Sequence, residues 1–536
     1  MENTRTLRET GHHETGLRTQ RERSDPVSTT TNTAPEDLSR TALKGAVWTM
    51  AATAGIKCVT LIAQVGIAWY LLPKDLGIAL LAISIASVVQ IVMSVGMCEV
   101  LIQDPERIER DIGQAVWLTL ALSLVAAAAV CAVSPFAWRI YHEPGIETIL
   151  QVLALSWPLH AYAAVAPALL YRDLRFGRIA VMHLLGGCVH AGTTLALAAL
   201  GFGPYALVLP AYAMAVFLTV FTRLSVGPIR FDWPRPGNWR PLCAAGAWIL
   251  LRSLFQTAQQ YAAAFALGIL HSSTVVGLYY WGYQVANQAM FLLSEKLSGV
   301  LFPSFVKLNG DRDRQYRAFR MTCWMLLLPC VPVCILQALL AEPVIHLLFK
   351  PQWAGSVRVV QWLSIGLVFL PLSTLNTSIL RAHGDFRFGA ILSGATALVI
   401  SLAALMGAHT GNHASTAAWS GVAFVLTGVA SGWIAFRQFG KGIRDLSATT
   451  VPLLACGVLG AAAGLLARKI LPNPFAIPSI ATVTAVVMLT YSVAIALVCP
   501  RASRDLLSRV RGVFKGVRAL EEPQMVPEPV RGSTAK

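Results

Sequence analysis

Long apolar stretches recur along the whole chain, divided by short polar connections. Each is close to the ~20 residues a helix needs to cross a bilayer. They fall near residues 45–71, 76–97, 113–135, 146–170, 177–200, 204–224, 243–270, 275–302, 319–341, 357–380, 388–408, 414–436, 448–467 and 477–499. The pattern predicts an all-α polytopic membrane protein with about 14 transmembrane helices. Residues 1–40 are rich in Arg, Thr, Glu and Ser and lack an apolar core, so they read as a disordered cytoplasmic tail, not a signal peptide. Residues 501–536 read as a basic cytoplasmic tail.

The spans repeat. Ala46-Val47-Trp48 matches Gly246-Ala247-Trp248, and Gly77 matches Gly277, both at an offset of 200 residues. Asp173-Leu174-Arg175-Phe176-Gly177 matches Asp385-Phe386-Arg387-Phe388-Gly389 at an offset of 212. Each pair falls at corresponding places in two six-span units. The reading is therefore two six-helix lobes, residues 41–226 and 243–440, joined by a cytoplasmic linker at 227–242. Six is even, so the lobes share an orientation and are related by a pseudo-twofold along the membrane normal. Residues 441–500 then form two extra C-terminal helices.

Composition supports the membrane reading. The chain is 55% hydrophobic and only 13% charged, against ~25% charged in soluble domains. Its net charge of +16 does not imply a nucleic-acid partner, because the basic residues sit in the connections. Connections after even-numbered spans carry Arg107 and Arg110, then Arg172, Arg175 and Arg178, then Arg312, Arg314, Arg317 and Arg320, then Arg381 and Arg387. Those after odd-numbered spans carry little beyond Lys74, Arg139, Lys350, Arg468 and Lys469. The asymmetry puts both termini in the cytoplasm. The longest outer connection, Ala341–Ser356, is amphipathic and ends in Trp353, which predicts a segment lying along the outer interface. The ten cysteines show no metal-ligand spacing and read as small apolar packing, with no cofactor implied.

Candidate chemistry lies in polar residues inside apolar spans. Arg252, Gln256, Gln259 and Gln260 share one face of the seventh span. A lone arginine at that depth costs ~2.5–3.5 kcal/mol or more on insertion scales, so it is expected to face protein or a water-filled cavity. Lys57 lies near the middle of span one, the repeat equivalent of span seven. It reads either as facing Arg252 across the axis or as a buried structural pair. Span eight carries Tyr283, Gln284, Asn287 and Gln288, then Glu295 and Lys296, which either join the site or reach to the inner interface. His160, His183, His190 and Glu99 are weaker candidates for proton coupling, set against ordinary packing and interfacial roles. Several cations in one cavity suit an anion such as a diphosphate, and the amides and tyrosines suit sugar hydroxyls. No GxxxxGK[ST] phosphate loop and no HExxH zinc motif is present, so the reading is a transporter, not an enzyme.

A further pattern bears on identity. Leu43-Lys44-Gly45-Ala46-Val47-Trp48, Leu72-Pro73-Lys74-Asp75-Leu76-Gly77 and Leu101-Ile102-Gln103 resemble the opening of the polysaccharide transporter family. Gly268-Ile269-Leu270, Val276-Gly277-Leu278-Tyr279 and Phe302-Pro303-Ser304-Phe305 add to the likeness, which spans most of residues 42–440. These are the oligosaccharide flippases of the multidrug, oligosaccharidyl-lipid and polysaccharide exporter superfamily. The resemblance implies two lobes around a V-shaped cavity. It implies a lipid-diphosphate-linked oligosaccharide moved across the bacterial inner membrane for exopolysaccharide or lipopolysaccharide biosynthesis. Membrane lipids, glycosyltransferases and polymerase or chain-length proteins would be its partners. The family commonly has Ala-Arg before the Leu-x-Pro turn, whereas this chain has Ala68-Trp69, so any phosphate contact of that arginine would pass to Lys57 or Arg252. The alternatives are a drug/cation antiporter of the same superfamily, which predicts acidic cavity residues, and a membrane polymerase or ligase, which predicts a large outer loop.

Overall fold

The computed structural model describes residues 55–94, 105–173, 175–227, 239–290 and 311–498, with Leu101, Trp233, Pro234, Phe305 and Pro500. The described residues are almost entirely helical. In chain order the first-half helices are α1 (Gly55–Tyr70), α2 (Pro73–Ser94), α3 (Pro105–Tyr141), α4 (Ile146–Leu155), α5 (Trp157–Val165), α6 (Pro167–Arg172), α7 (Phe176–Ala199) and α8 (Pro210–Val226). The rest are α9 (Trp239–Leu270), α10 (Ser273–Met290), α11 (Arg312–Leu348), α12 (Ser356–Leu367), α13 (Leu370–Ala382), α14 (Phe386–Thr410), α15 (His413–Arg437), α16 (Ile443–Ile470) and α17 (Ile477–Val498).

Among the described residues, ten helical spans are long and apolar enough to cross a membrane, or eleven when the bent pair α12 and α13 is taken as one span. The remaining expected spans fall on α1, which is short, and on α9 and α10, whose hydropathy is lowered by polar side chains. Fourteen spans are compatible with this arrangement. Span four is broken into α4, α5 and α6, with Pro158 and Pro167 at the breaks, because proline lacks the N–H that continues a helix. The bend between α12 and α13 is 43° and lies beside Pro371. Large apolar residues such as Leu398, Leu489 and Leu497 are exposed on the outside of the bundle, as lipid contact requires.

The two glycines matched at an offset of 200 meet in space. A Cβ on Gly77 would stand 1.8 Å from the Ser273 carbonyl oxygen, and one on Gly277 would stand 1.9 Å from the Pro73 carbonyl oxygen. Pro73 and Ser273 are separated by the same offset, so the contacts are reciprocal, as when a twofold axis passes between α2 and α10. Only glycine lets the two backbones touch.

The second match is shifted. Asp173 N–H donates to Leu169 O at 3.0 Å and Arg175 N–H to Leu170 O at 3.0 Å. Their geometric counterparts are His383 N–H to Ile379 O at 2.9 Å and Asp385 N–H to Leu380 O at 3.0 Å. The backbone turns therefore correspond at an offset of 210 residues, not the 212 of the side-chain match. Main-chain geometry, set by helix termination, fixes that register more firmly than an Asp-x-Arg-Phe-Gly string does.

Helix ends alternate between a basic end, with Arg175, Arg178, Arg381 and Arg437, and a charge-poor end. At the basic end Arg178 donates to Ser225 O at 2.6 Å, tying α7 to the end of α8. The two C-terminal helices dock on α11. Tyr491 donates to Leu328 O at 2.9 Å, and Arg468 pairs with Glu342 at 2.5 Å at the charge-poor end.

Candidate functional site

A cavity of about 740 Å³ lies between α1, α9, α10 and α13, with contributions from α12, α14 and α15. That volume is within the ~300–1,000 Å³ of sites that enclose small molecules. Its α9 side carries Arg252, Gln256, Gln259 and Gln260, the four residues expected to share a face. Lys57 and Thr60 come from α1, and Tyr283, Gln284, Asn287 and Gln288 from α10. Lys57 and Arg252 thus line one chamber, although their helices belong to different repeats.

Lys57 is bonded within the site. Its Nζ donates to Gln288 Oε1 at 3.0 Å, and Gln288 Nε2 donates to Gln64 Oε1 at 3.4 Å, a polar chain from α1 to α10 and back. Among the described residues, none of the ion pairs involves Arg252. Lys57, Arg252 and Arg381 give the described lining three cations and no carboxylate.

The sequence reading missed α13. Ser373, Thr374, Thr377 and Ser378 line the cavity, followed by Arg381 where the helix reaches the basic end. The signal was there: two rows at i, i+4, Ser373/Thr377 and Thr374/Ser378, interrupt an otherwise apolar span. Arg381 was hidden because an arginine at a helix end also serves topology.

Other candidates lie elsewhere. His160 is on α5, with its Nδ1 3.0 Å from Ser156 O. His183 and His190 are exposed on α7. None of the three histidines is in the cavity lining. Glu99 and Lys296 lie outside the described residues.

Away from the basic end, the end of α1 is held by a clasp. The final carbonyls of a helix have no intrahelical donors, and those of α1 are met by side chains from the segment after α11. Trp353 Nε1 donates to Ala68 O at 2.8 Å, Lys350 Nζ to Trp69 O at 2.6 Å and Gln352 Nε2 to Leu71 O at 3.2 Å. Trp69 Nε1 returns a bond to Leu348 O at 2.8 Å. The Trp353 ring is fully buried and packs 5.0 Å from Trp281. This corrects the expectation that Ala341–Ser356 lies along the membrane interface. The α11 helix continues to Leu348, and Trp353 plugs the junction of α1 and α10. An amphipathic pattern is the same whether its apolar face meets lipid or protein. Nearby, Glu143 accepts from Ser273 Oγ at 2.6 Å and from Ser273 N–H at 3.3 Å, while Lys74 lies 3.7 Å away. A carboxylate there suits the positive N-terminus of α10.

Residues 67–358, more than half the chain, match the family model described as polysaccharide biosynthesis protein. The chain belongs to that family. Within this polysaccharide biosynthesis family it is similar to the succinoglycan biosynthesis transport protein ExoT of Rhizobium meliloti (strain 1021). The two are 25% identical over 482 residues, which cover 86% of this chain and 93% of the relative. It is 22% identical over 361 residues to the lipopolysaccharide biosynthesis protein WzxC of Escherichia coli (strain K12), covering 65% and 72% of the two chains. The fold is similar to that of the lipid II flippase MurJ in an inward closed conformation, with a TM-score of 0.71 and 11% identity, over 86% of this chain and 100% of the other. It is also similar to an inward-facing multidrug resistance transporter of the MATE family, with a TM-score of 0.58 and 13% identity, over 74% and 98%. Trp69 is at the clasp and not in the described cavity lining.

Proposed function

We propose that this member of the polysaccharide biosynthesis family carries lipid-diphosphate-linked oligosaccharide units from the inner to the outer leaflet of the bacterial inner membrane, for exopolysaccharide or lipopolysaccharide assembly. The basic end faces the cytoplasm, as positively charged connections favour. Glycosyltransferases supply the cargo, and polymerase or chain-length proteins consume it outside. One observation carries the reading: among the described residues, three cations and no carboxylate line a chamber that reaches the basic end, where Arg381 is exposed. Unlike charges 4 Å apart attract by about 4 kcal/mol at an effective dielectric near 20, so such a chamber offsets part of the desolvation of a diphosphate. The same field opposes a cationic drug, which separates this reading from a drug/cation antiporter.

The test replaces Arg252 with Ala and measures surface polymer and lipid-linked intermediate in cells whose own gene is deleted. The expected result is loss of polymer and accumulation of the lipid-linked unit, with normal protein abundance in the membrane. Full export by Arg252→Ala, or a drug-resistance phenotype that follows the protein, would overturn the proposal.

A further inference from the structure

The hydroxyl groups of the cavity differ from its amides and cations in what they have left to offer. Thr374 Oγ1 donates to Leu370 O at 3.3 Å, Thr377 Oγ1 to Ser373 O at 3.0 Å and Ser378 Oγ to Thr374 O at 3.0 Å. Each proton is committed to a carbonyl four residues back on the same helix. A hydroxyl that has given its proton retains lone pairs, so it faces the chamber as an acceptor. Lysine and arginine are donors only. The described lining therefore has one side with the donor-only cations Lys57 and Arg252, and a second, on α13, where three accepting hydroxyls precede Arg381, a further donor at the basic end. A diphosphate has only acceptors for the first side, and a neutral sugar has many hydroxyl donors for the second.

Resting on the function proposed above, we infer that α13 is the sugar-reading wall of the site. Thr374, Thr377 and Ser378 accept from hydroxyls of an uncharged sugar while the diphosphate stays with Arg252 and Lys57. The three hydroxyls lie within about one helical turn, about 6 Å of helix at ~1.5 Å per residue, so they address one or two sugar rings.

The experiment uses the full-length protein in lipid nanodiscs and measures affinity for two probes. These are a bare polyprenyl diphosphate and the same lipid carrying a neutral hexose trisaccharide. Thr374→Val and Thr377→Val are combined, and a thermal midpoint close to wild type establishes that the variant is folded. Wild type is expected to bind the neutral probe about tenfold more tightly than the bare lipid, as two net hydrogen bonds of ~0.7 kcal/mol would give. In the double variant the neutral probe should fall to within about twofold of the bare lipid. A neutral-probe advantage that survives both substitutions, or an equal loss for bare and neutral probes, would overturn the assignment. Failure of wild type to bind even the bare diphosphate would instead overturn the underlying function and this inference with it.

Discussion

The two ends of the same helices are built on opposite rules. At the charge-poor end α2 and α10 meet backbone to backbone, through Gly77 and Gly277, and the open carbonyls at the end of α1 are filled by Trp353, Lys350 and Gln352. Toward the basic end α1 and α10 present Lys57, Tyr283, Asn287 and Gln288 to a chamber. The difference teaches which residues hold the closed form together and which are left to handle cargo. Changes at the clasp are expected to move stability and accessibility. Changes in the chamber are expected to move affinity and transport at nearly constant stability.

The sharpest way to break this division is Gly277→Val. A Cβ there would already stand 1.9 Å from Pro73 O, and forcing bulk into a packed contact costs about 3 kcal/mol or more. The thermal midpoint should fall, and a cysteine reporter placed near Trp353 should label faster. An unchanged midpoint would mean that α2 and α10 are not in contact in the membrane. Next in size is Arg252→Gln, measured as transport of a lipid-linked oligosaccharide into sealed vesicles. Loss of a charged anchor, about 3 kcal/mol, should cut transport roughly a hundredfold with little change in midpoint. A large fall in stability would make Arg252 structural. Trp353→Phe keeps the ring but leaves Ala68 O without its donor, a cost of about 1–3 kcal/mol, seen as a lower midpoint with cargo affinity intact. The smallest change is Glu143→Gln. The amide oxygen still accepts from Ser273, and the Lys74 side chain is 57% exposed, so loss of that pair should cost no more than about 1 kcal/mol.

Much of this division was written in the order of residues. Arg252 and its glutamines could be placed in a chamber because a buried cation on an apolar helix has few other places to go. The glycine pair at an offset of 200 marked the repeat but not the contact; the structure adds that α2 and α10 cross there, where a backbone contact demands glycine at both partners. Other parts were concealed for physical reasons. Hydroxyls that bond their own helix, as on α13, barely lower the apolar character of a span. His183 and His190 share a face, but periodicity alone does not say whether that face meets protein or the exterior, and here both are exposed. Trp353 looked interfacial because its true partner, the end of α1, is 285 residues away in sequence.

The clasp also bears on how relatives can diverge. Its three incoming bonds end on the peptide oxygens of Ala68, Trp69 and Leu71, so they survive almost any side-chain replacement at those positions. Mutational drift in that turn of α1 should be tolerated as long as it stays helical, while the opposing Lys350, Gln352 and Trp353 should resist exchange. Among distant homologues, the lock is then better traced through its keys than through its keyhole.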